Sequence, residues 1–302
     1  MRIKRKISGV LLLDKPAGVT SNGALQHAKR LYQAEKAGHT GTLDPIATGL
    51  LPICLGEATK FSQTLLDSNK AYQAVIRFGQ TTTTGDSEGT VLTQSPVQLT
   101  RTQVEQSLAK FVGRIQQTPP MYSALKHEGK ALYTYARAGI EIEREARDIT
   151  IDSLRLEDFH GDEITISVEC SKGTYIRVLA EDIGQDLGCG AFLQALRRTA
   201  TGRFALTDAV TLSQLEDMSM AQRDALLLPP DALLAGVQKM SVDAESAYSL
   251  RQGQAIWRSK QTLGSTVRLY DEKERFIGIG EVSEDGKIAP KRLVVLQYSE
   301  IP

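Results

Sequence analysis

The stretch Gly38-His39-Thr40-Gly41-Thr42-Leu43-Asp44-Pro45, continuing Ile46-Ala47-Thr48-Gly49-Leu50-Leu51-Pro52, constrains this chain more than any other segment. Glycines at 38, 41 and 49 permit unusual backbone angles or a close approach by another group. Pro45 removes a backbone donor and stiffens the chain after Asp44. Residues 38–49 therefore read as a loop. The loop presents one carboxylate, Asp44. Such a group can act as a nucleophile or a general base. It can equally be the acceptor of an Asx turn.

The flanking sequence places this loop among regular elements. Val10–Asp14 reads as a buried strand, ended by Pro16 and Gly18. Ser21 can cap a helix whose apolar positions Leu25, Ala28, Leu31 and Tyr32 recur at helical spacing. Residues 57–66 suit a helix. Over 70–79, Tyr72, Ala74, Ile76 and Phe78 alternate with Gln73 and Arg77, the pattern of a half-buried strand. An amphipathic helix is expected over 101–112. Strands over 149–159 and 163–171 pair as a hairpin across Gly161-Asp162, and a helix over 175–187 leads to an apolar stretch at 191–196. Short helices follow near 211–219 and 220–228, and Pro229-Pro230 marks a boundary. The last part is β-rich, with strands over 265–271, 275–282 and 291–296. Residues 118–148 open on Thr118-Pro119-Pro120 and mix Tyr122, Tyr133 and Tyr135 with five basic and five acidic residues. They read as a long excursion carrying a short helix near 130–138, and excursions of this length tend to be functional or mobile.

Charge and cysteine usage narrow the class. The chain carries 36 basic and 36 acidic residues, which argues against a uniformly cationic nucleic-acid binder. The balance is uneven along the sequence. Residues 1–36, Arg2 included, hold eight basic residues against two acidic, whereas 204–250 hold two against seven. Local positive charge is what phosphate binding requires. Cys54, Cys170 and Cys189 are widely spaced, with no C-x-x-C pair, so neither a disulfide framework nor a zinc site is suggested. No segment approaches the ~20 apolar residues of a membrane helix. A cytoplasmic protein with no membrane association is the expectation. There is no G-x-x-x-x-G-K-[ST], G-x-G-x-x-G or H-E-x-x-H. Gly85-Asp86-Ser87-Glu88-Gly89 matches G-x-S-x-G, but a nucleophile elbow needs a hydrophobic strand before it and a helix after it. Here polar threonines flank it, so it reads as a turn.

Several separate runs, in order, resemble the TruB family of pseudouridine synthases, in its stand-alone bacterial form. They are Val10-Leu11-Leu12-Leu13-Asp14-Lys15-Pro16, Gly38–Pro45, Gly56-Glu57-Ala58-Thr59-Lys60, Met121-Tyr122-Ser123-Ala124-Leu125-Lys126, Ser171-Lys172-Gly173-Thr174-Tyr175-Ile176-Arg177 and Ala289-Pro290-Lys291-Arg292. The resemblance implies an α+β fold, with a mixed, mainly antiparallel central sheet flanked by helices. It also implies a small β-rich PUA-like domain over 246–302, after a catalytic domain over 1–245 in which 118–148 is an RNA-gripping thumb. The implied activity is isomerisation of uridine 55 in the tRNA T-loop to pseudouridine, without a cofactor or metal.

Under the same resemblance Asp44 is the catalytic aspartate and Arg177 its partner. Tyr72 stacks on the target base, Tyr175 and Leu196 line the uracil pocket, His39 inserts into the RNA loop to hold the base out, and Lys15 lies near the active site. Read without the family, Tyr72 and Leu196 would also suit core packing, and Lys15 a surface charge. The sequence departs from the family at Thr83, where an acid is usual, while Asp86 keeps its place. Lys287, Lys291 and Arg292 would meet phosphates. The implied partner is the T-arm stem-loop of tRNA, with no obligate protein partner and a monomeric chain. A tRNA-folding factor with secondary catalysis and a guide-RNA-dependent synthase are the competing readings.

Overall fold

A computed structural model describes residues 4–257 and 263–295 of the chain. Arg2 and the last residue of the expected strand 291–296 lie outside them. Among the described residues, ten strands form one mixed sheet. Its main path uses β1 (Gly9–Lys15), β2 (Thr48–Leu55), β3 (Lys70–Phe78), β4 (Gly113–Gln117), β5 (Arg147–His160), β6 (Glu163–Cys170), β7 (Ala191–Thr201) and β8 (Val210–Thr211). The order across the sheet is β8-β1-β2-β7-β3-β6-β5-β4, and the short strands Ala37–His39 and Phe204–Ala205 join β2 and β7. Most neighbours are antiparallel. The exceptions are β1 with β8 and β2 with β7. This is the mixed, mainly antiparallel sheet expected.

The alternation at the start of β3 holds: Ala74, Ile76 and Phe78 are buried, and Tyr72 packs beside them. β5 and β6 turn over Gly161-Asp162, with His160 opposite Glu163. Gly161 takes a φ of 59°, the left-handed region such a turn needs. The apolar stretch at 191–196 is the first half of an eleven-residue strand, β7, which runs between β2 and β3. Strand β2 has no counterpart in the sequence-based reading. All but its first residue are buried, so it lacks the in–out alternation that reveals a strand.

Helix α1 (Ser21–Leu31) buries Ala24, Leu25 and Ala28 against β1 and β2. Its cap is Thr20, whose hydroxyl accepts from the Gly23 N–H, rather than Ser21. Helix α2 (Arg101–Lys110) opens on a capping box, in which Thr100 and Gln103 satisfy each other's backbone donors. Helix α3 (Ile176–Asp186) lays Ile176, Leu179, Ala180 and Ile183 on the β3–β6 side of the sheet. The helix expected over 57–66 is instead a tighter 3₁₀ turn, Gly56–Phe61, followed by a single α-turn, Ser62–Leu66.

A second sheet of five strands contains Gln238–Ser241, Thr266–Tyr270, Phe276–Val282, Lys287–Leu293 and Ile256–Trp257, in that order. Its first strand lies before residue 246. The 3₁₀ turn joins the two sheets. Phe61 meets Phe276 edge to face at 5.4 Å, Lys60 Nζ donates to the Leu293 carbonyl at 2.8 Å, and Arg292 Nη1 donates back to the Lys60 carbonyl at 2.8 Å. Lys287 pairs with Asp285 and Lys291 with Glu281. These three cations, expected to face phosphates, each have a partner within the protein, and Lys287 and Lys291 remain about half exposed.

The parallel contact of β2 with β7 depends on Gly49. Its φ is +100°, and a Cβ there would stand 2.3 Å from the Arg198 carbonyl oxygen and 2.7 Å from the Arg198 nitrogen. Neither neighbour can yield, because both are ladder backbone. Gly49→Ala is expected to cost about 3 kcal/mol of stability from strain and overpacking. Urea unfolding measures it, and a loss below about 1 kcal/mol would show that the strands separate freely there.

Candidate active site

The loop carrying Asp44 is tied down on every side. Ser21, at the start of α1, uses one hydroxyl twice: it accepts from the Leu43 N–H at 2.8 Å and donates to the Leu43 carbonyl at 2.9 Å. The Gly18 N–H donates to the Pro45 carbonyl at 2.8 Å. Lys15 lies beneath the loop with no exposed surface. Its ammonium donates to the carbonyls of Pro16 and Val19 at 2.8 and 2.6 Å, and reaches Pro45 at 3.5 Å. Burial pulls this ammonium down to about 8. Lys15 lines neither cavity of the site.

Arg177 enters from the first turn of α3 and is 5% exposed. Its Nε lies 3.1 Å from Asp44 Oδ2 and 3.6 Å from Asp86 Oδ2. Nη1 donates to the Thr84 carbonyl at 3.1 Å and Nη2 to the Tyr122 carbonyl at 2.6 Å. One guanidinium thus joins the Asp44 loop, the turn over 83–89 and the base of the 118–148 excursion. That turn is the G-x-S-x-G segment. It docks on β7 through Ser87 N to Leu193 O and Leu193 N to Gly85 O, and it delivers the buried carboxylate of Asp86 to Arg177. Thr83, where the resemblance leads one to expect an acid, donates its backbone N–H to the Thr90 carbonyl.

Burial raises the Asp44 carboxyl above its ordinary value. Arg177 pulls it back, and the neighbouring Asp86 pushes it up again. The guanidinium is therefore the main group that favours the ionised form of Asp44.

Two cavities meet at this pair. The inner one, about 340 Å³, is lined by Asp44, Tyr72, Tyr175, Arg177, Leu196 and Arg198 among others. Its size falls within the range of small-molecule sites, roughly 300–1,000 Å³. The outer one, about 510 Å³, is lined by His39, Asp86, Tyr122 and Arg137, together with Asp44 and Arg177. Of the candidates named from sequence, Asp44, Tyr72, Tyr175, Arg177 and Leu196 converge on the inner cavity. His39 stands only in the outer one, where its Nδ1 has no hydrogen-bond partner among the described residues. Burial, and then Arg198, lower its imidazole below the usual value, favouring the neutral ring.

Sequence reasoning missed three residues. Gln117, at the end of β4, clamps Tyr175 from both sides, accepting from its N–H at 3.0 Å and donating to its carbonyl at 3.3 Å. Lys70 lines the inner cavity, with its ammonium on the carbonyls of Leu66 and Ser68 and its pKa pulled down by burial to about 8. Arg198 is 1% exposed in the same cavity. The Leu196-Arg197-Arg198 run offered no spacing that would single out the last residue. Among the described residues, no group of three or more His, Cys, Asp or Glu side chains could hold a metal ion, and no helix is long and apolar enough to cross a membrane.

Comparison with known proteins gives the family. Residues 29–176 match the family described as TruB family pseudouridylate synthase (N terminal domain). Residues 177–235 match the tRNA pseudouridylate synthase B C-terminal domain, and 239–294 match pseudouridine synthase II TruB, C-terminal. A tRNA pseudouridine synthase B of Methylobacillus flagellatus is 58% identical, over 97% of each chain. One from Nitrosospira multiformis is 55% identical, over 98% of each. Among solved structures, that of a Cbf5-Nop10-Gar1 complex superimposes with a TM-score of 0.71 at 25% identity, covering 94% of this chain and 84% of the other. With the motifs in order, the site assembled and relatives matched end to end, the chain belongs to the TruB family of pseudouridine synthases.

Proposed function

We propose that this protein converts uridine 55 of the tRNA T-loop to pseudouridine, acting alone on the T-arm. The observation that carries the reading is the Asp44–Arg177 pair at 3.1 Å, placed where the inner and outer cavities meet. A flipped nucleotide entering from the outer cavity would bring its C1′ to Asp44 and its base to Tyr72, Tyr175 and Leu196.

The reaction is an isomerisation, so atoms balance without a co-reactant. The N1–C1′ bond breaks, the base turns, and a C5–C1′ bond forms. C5 then loses a proton and N1 gains one. Asp44 either attacks C1′ or assists formation of a glycal, and both roles need the carboxylate ionised. Arg177 supplies the charge that keeps it so. Tyr72 offers a flat face for the base, and His39 a ring at the entrance, where stacking offsets the few kcal/mol of base flipping. Gln117 holds Tyr175 against the cavity wall, and Lys15 supports the loop from below rather than touching substrate.

The test is site-specific pseudouridine mapping on a bare T-arm stem-loop incubated with the purified protein and nothing else. Conversion at the single position equivalent to 55 is the expected result. Conversion only when a second RNA or protein is added would favour a guide-dependent enzyme. Binding with no conversion would leave a tRNA-folding factor.

A further inference from the structure

We propose that Arg198 is a positioning residue for this reaction, one guanidinium that couples the Asp44 loop to Tyr72 across the floor of the inner cavity. The inference rests on the functional reading above.

Arg197 and Arg198 are neighbours on β7 with opposite fates. Arg197 forms an ordinary ion pair, its Nη2 lying 2.6 Å from Asp14 Oδ2. Arg198 is 1% exposed, and among the described residues no carboxylate pairs with it. A buried guanidinium without a counter-ion is unfavourable unless its donors are fully used. Here its acceptors are neutral. Nε donates to the Leu50 carbonyl at 2.7 Å and Nη2 to the Gly41 carbonyl at 3.2 Å. Gly41 stands three residues before Asp44. Its φ is +126°, and a Cβ there would meet Arg198 Nη1 at 3.5 Å, an ordinary contact distance.

Its neighbour across the sheet is Tyr72. The two residues are directly opposite on the antiparallel pair β3–β7, where opposed side chains share a face. Both line the inner cavity. Burial raises the Tyr72 hydroxyl above its ordinary value, and the charge of Arg198 pulls it back. Arg198 thus sets two things together: the height of the Asp44 loop, through Gly41, and the surface against which the Tyr72 ring rests.

Single-turnover pseudouridine formation and stem-loop affinity test this together. Arg198→Met is expected to lower the rate on the order of 100-fold, as small misplacements of reacting groups do, with affinity changed less than threefold. Arg198→Lys should also lose more than tenfold, because one ammonium cannot hold the Leu50 and Gly41 carbonyls with the geometry of the guanidinium fork. In a Tyr72→Leu background, Arg198→Met should cost clearly less than in the wild type, since part of its effect runs through the missing ring. A folded variant with the wild-type rate overturns the proposal. So do losses that multiply fully with Tyr72→Leu, or a loss confined to affinity. If Arg198→Met does not fold, Arg198→Lys carries the test, and failure of that variant to fold would reduce Arg198 to a requirement of the sheet. A wild-type protein that forms no pseudouridine would instead sink the functional reading itself.

Discussion

Asp44→Asn is expected to bind a T-arm stem-loop within a few-fold of the wild type and to form pseudouridine more slowly by on the order of 10⁴-fold or more, the scale seen when a reacting group is removed. The substitution keeps the side chain's shape and its place beside Arg177, so the loop should not collapse. The tethers from Ser21, Gly18 and Lys15 act on Leu43, Pro45, Pro16 and Val19 and do not involve the Asp44 carboxylate. What disappears is the negative charge of the oxygen proposed to meet C1′. Gel-shift affinity and single-turnover rate, measured on the same preparation, separate the two effects. A rate within tenfold of the wild type would rule out Asp44 as the reacting group.

Arg177→Met should have two large effects of different origin. The first is on stability. Arg177 and Asp86 are 5% and 4% exposed, and removing the cation leaves a buried carboxylate with no counter-charge, which costs about 3–5 kcal/mol. The second is on the pH profile. Burial and Asp86 both raise the Asp44 carboxyl, and the Arg177 guanidinium beside it is the main group that opposes them. A carboxylate raised above its ordinary value is protonated as pH falls through that raised value, so activity is lost on the acid side. Without Arg177 the acid limb should move toward neutral pH, and the rate at neutral pH should fall by roughly 10²–10³-fold, as it does when a charge-stabilising group is lost. A pH–rate profile of the variant decides the matter. An acid limb that stays where it is in the wild type would mean that Arg177 does not control ionisation of Asp44.

How much of this could be read in advance varies with the distance over which each feature is encoded. The loop and its carboxylate were legible because glycine and proline act locally, although the ends of the 38–49 reading prove to be strand, Ala37–His39 before it and β2 from Thr48. Tyr72 was legible as a strand residue, but its place in a cavity came only from the resemblance, since packing gives the same alternation. Strand β2 was hidden: a run buried on both sides has no period, and Pro52 argues against a strand. Ser21 was assigned to a cap one residue too late, and its hydroxyl bridges to Leu43 instead. The segment over 85–89 was rightly refused as a nucleophile elbow, yet its role in delivering Asp86 depends on a ladder contact with Leu193, more than a hundred residues away. Gln117 and Arg198 were invisible for the same reason. Their partners, Tyr175, Gly41, Leu50 and Tyr72, lie far off in sequence, and nothing local distinguishes a glutamine or an arginine that will be buried.

The joint between the two sheets bears on how this chain could be cut. Phe61, Leu65, Leu233 and Leu234 belong to a buried cluster against which Phe276 and Ile279 of the second sheet, and Val294 just after it, pack. A protein shortened just before residue 238 would keep every group around Asp44, yet it would turn a greasy patch to water and leave Lys60 and Glu57 without the backbone partners they now hold at Leu293 and Val295. The final sheet is thus a lid on the core of its neighbour as well as a unit in its own right, and a minimal version of this protein would need new polar side chains at those apolar positions to remain in solution.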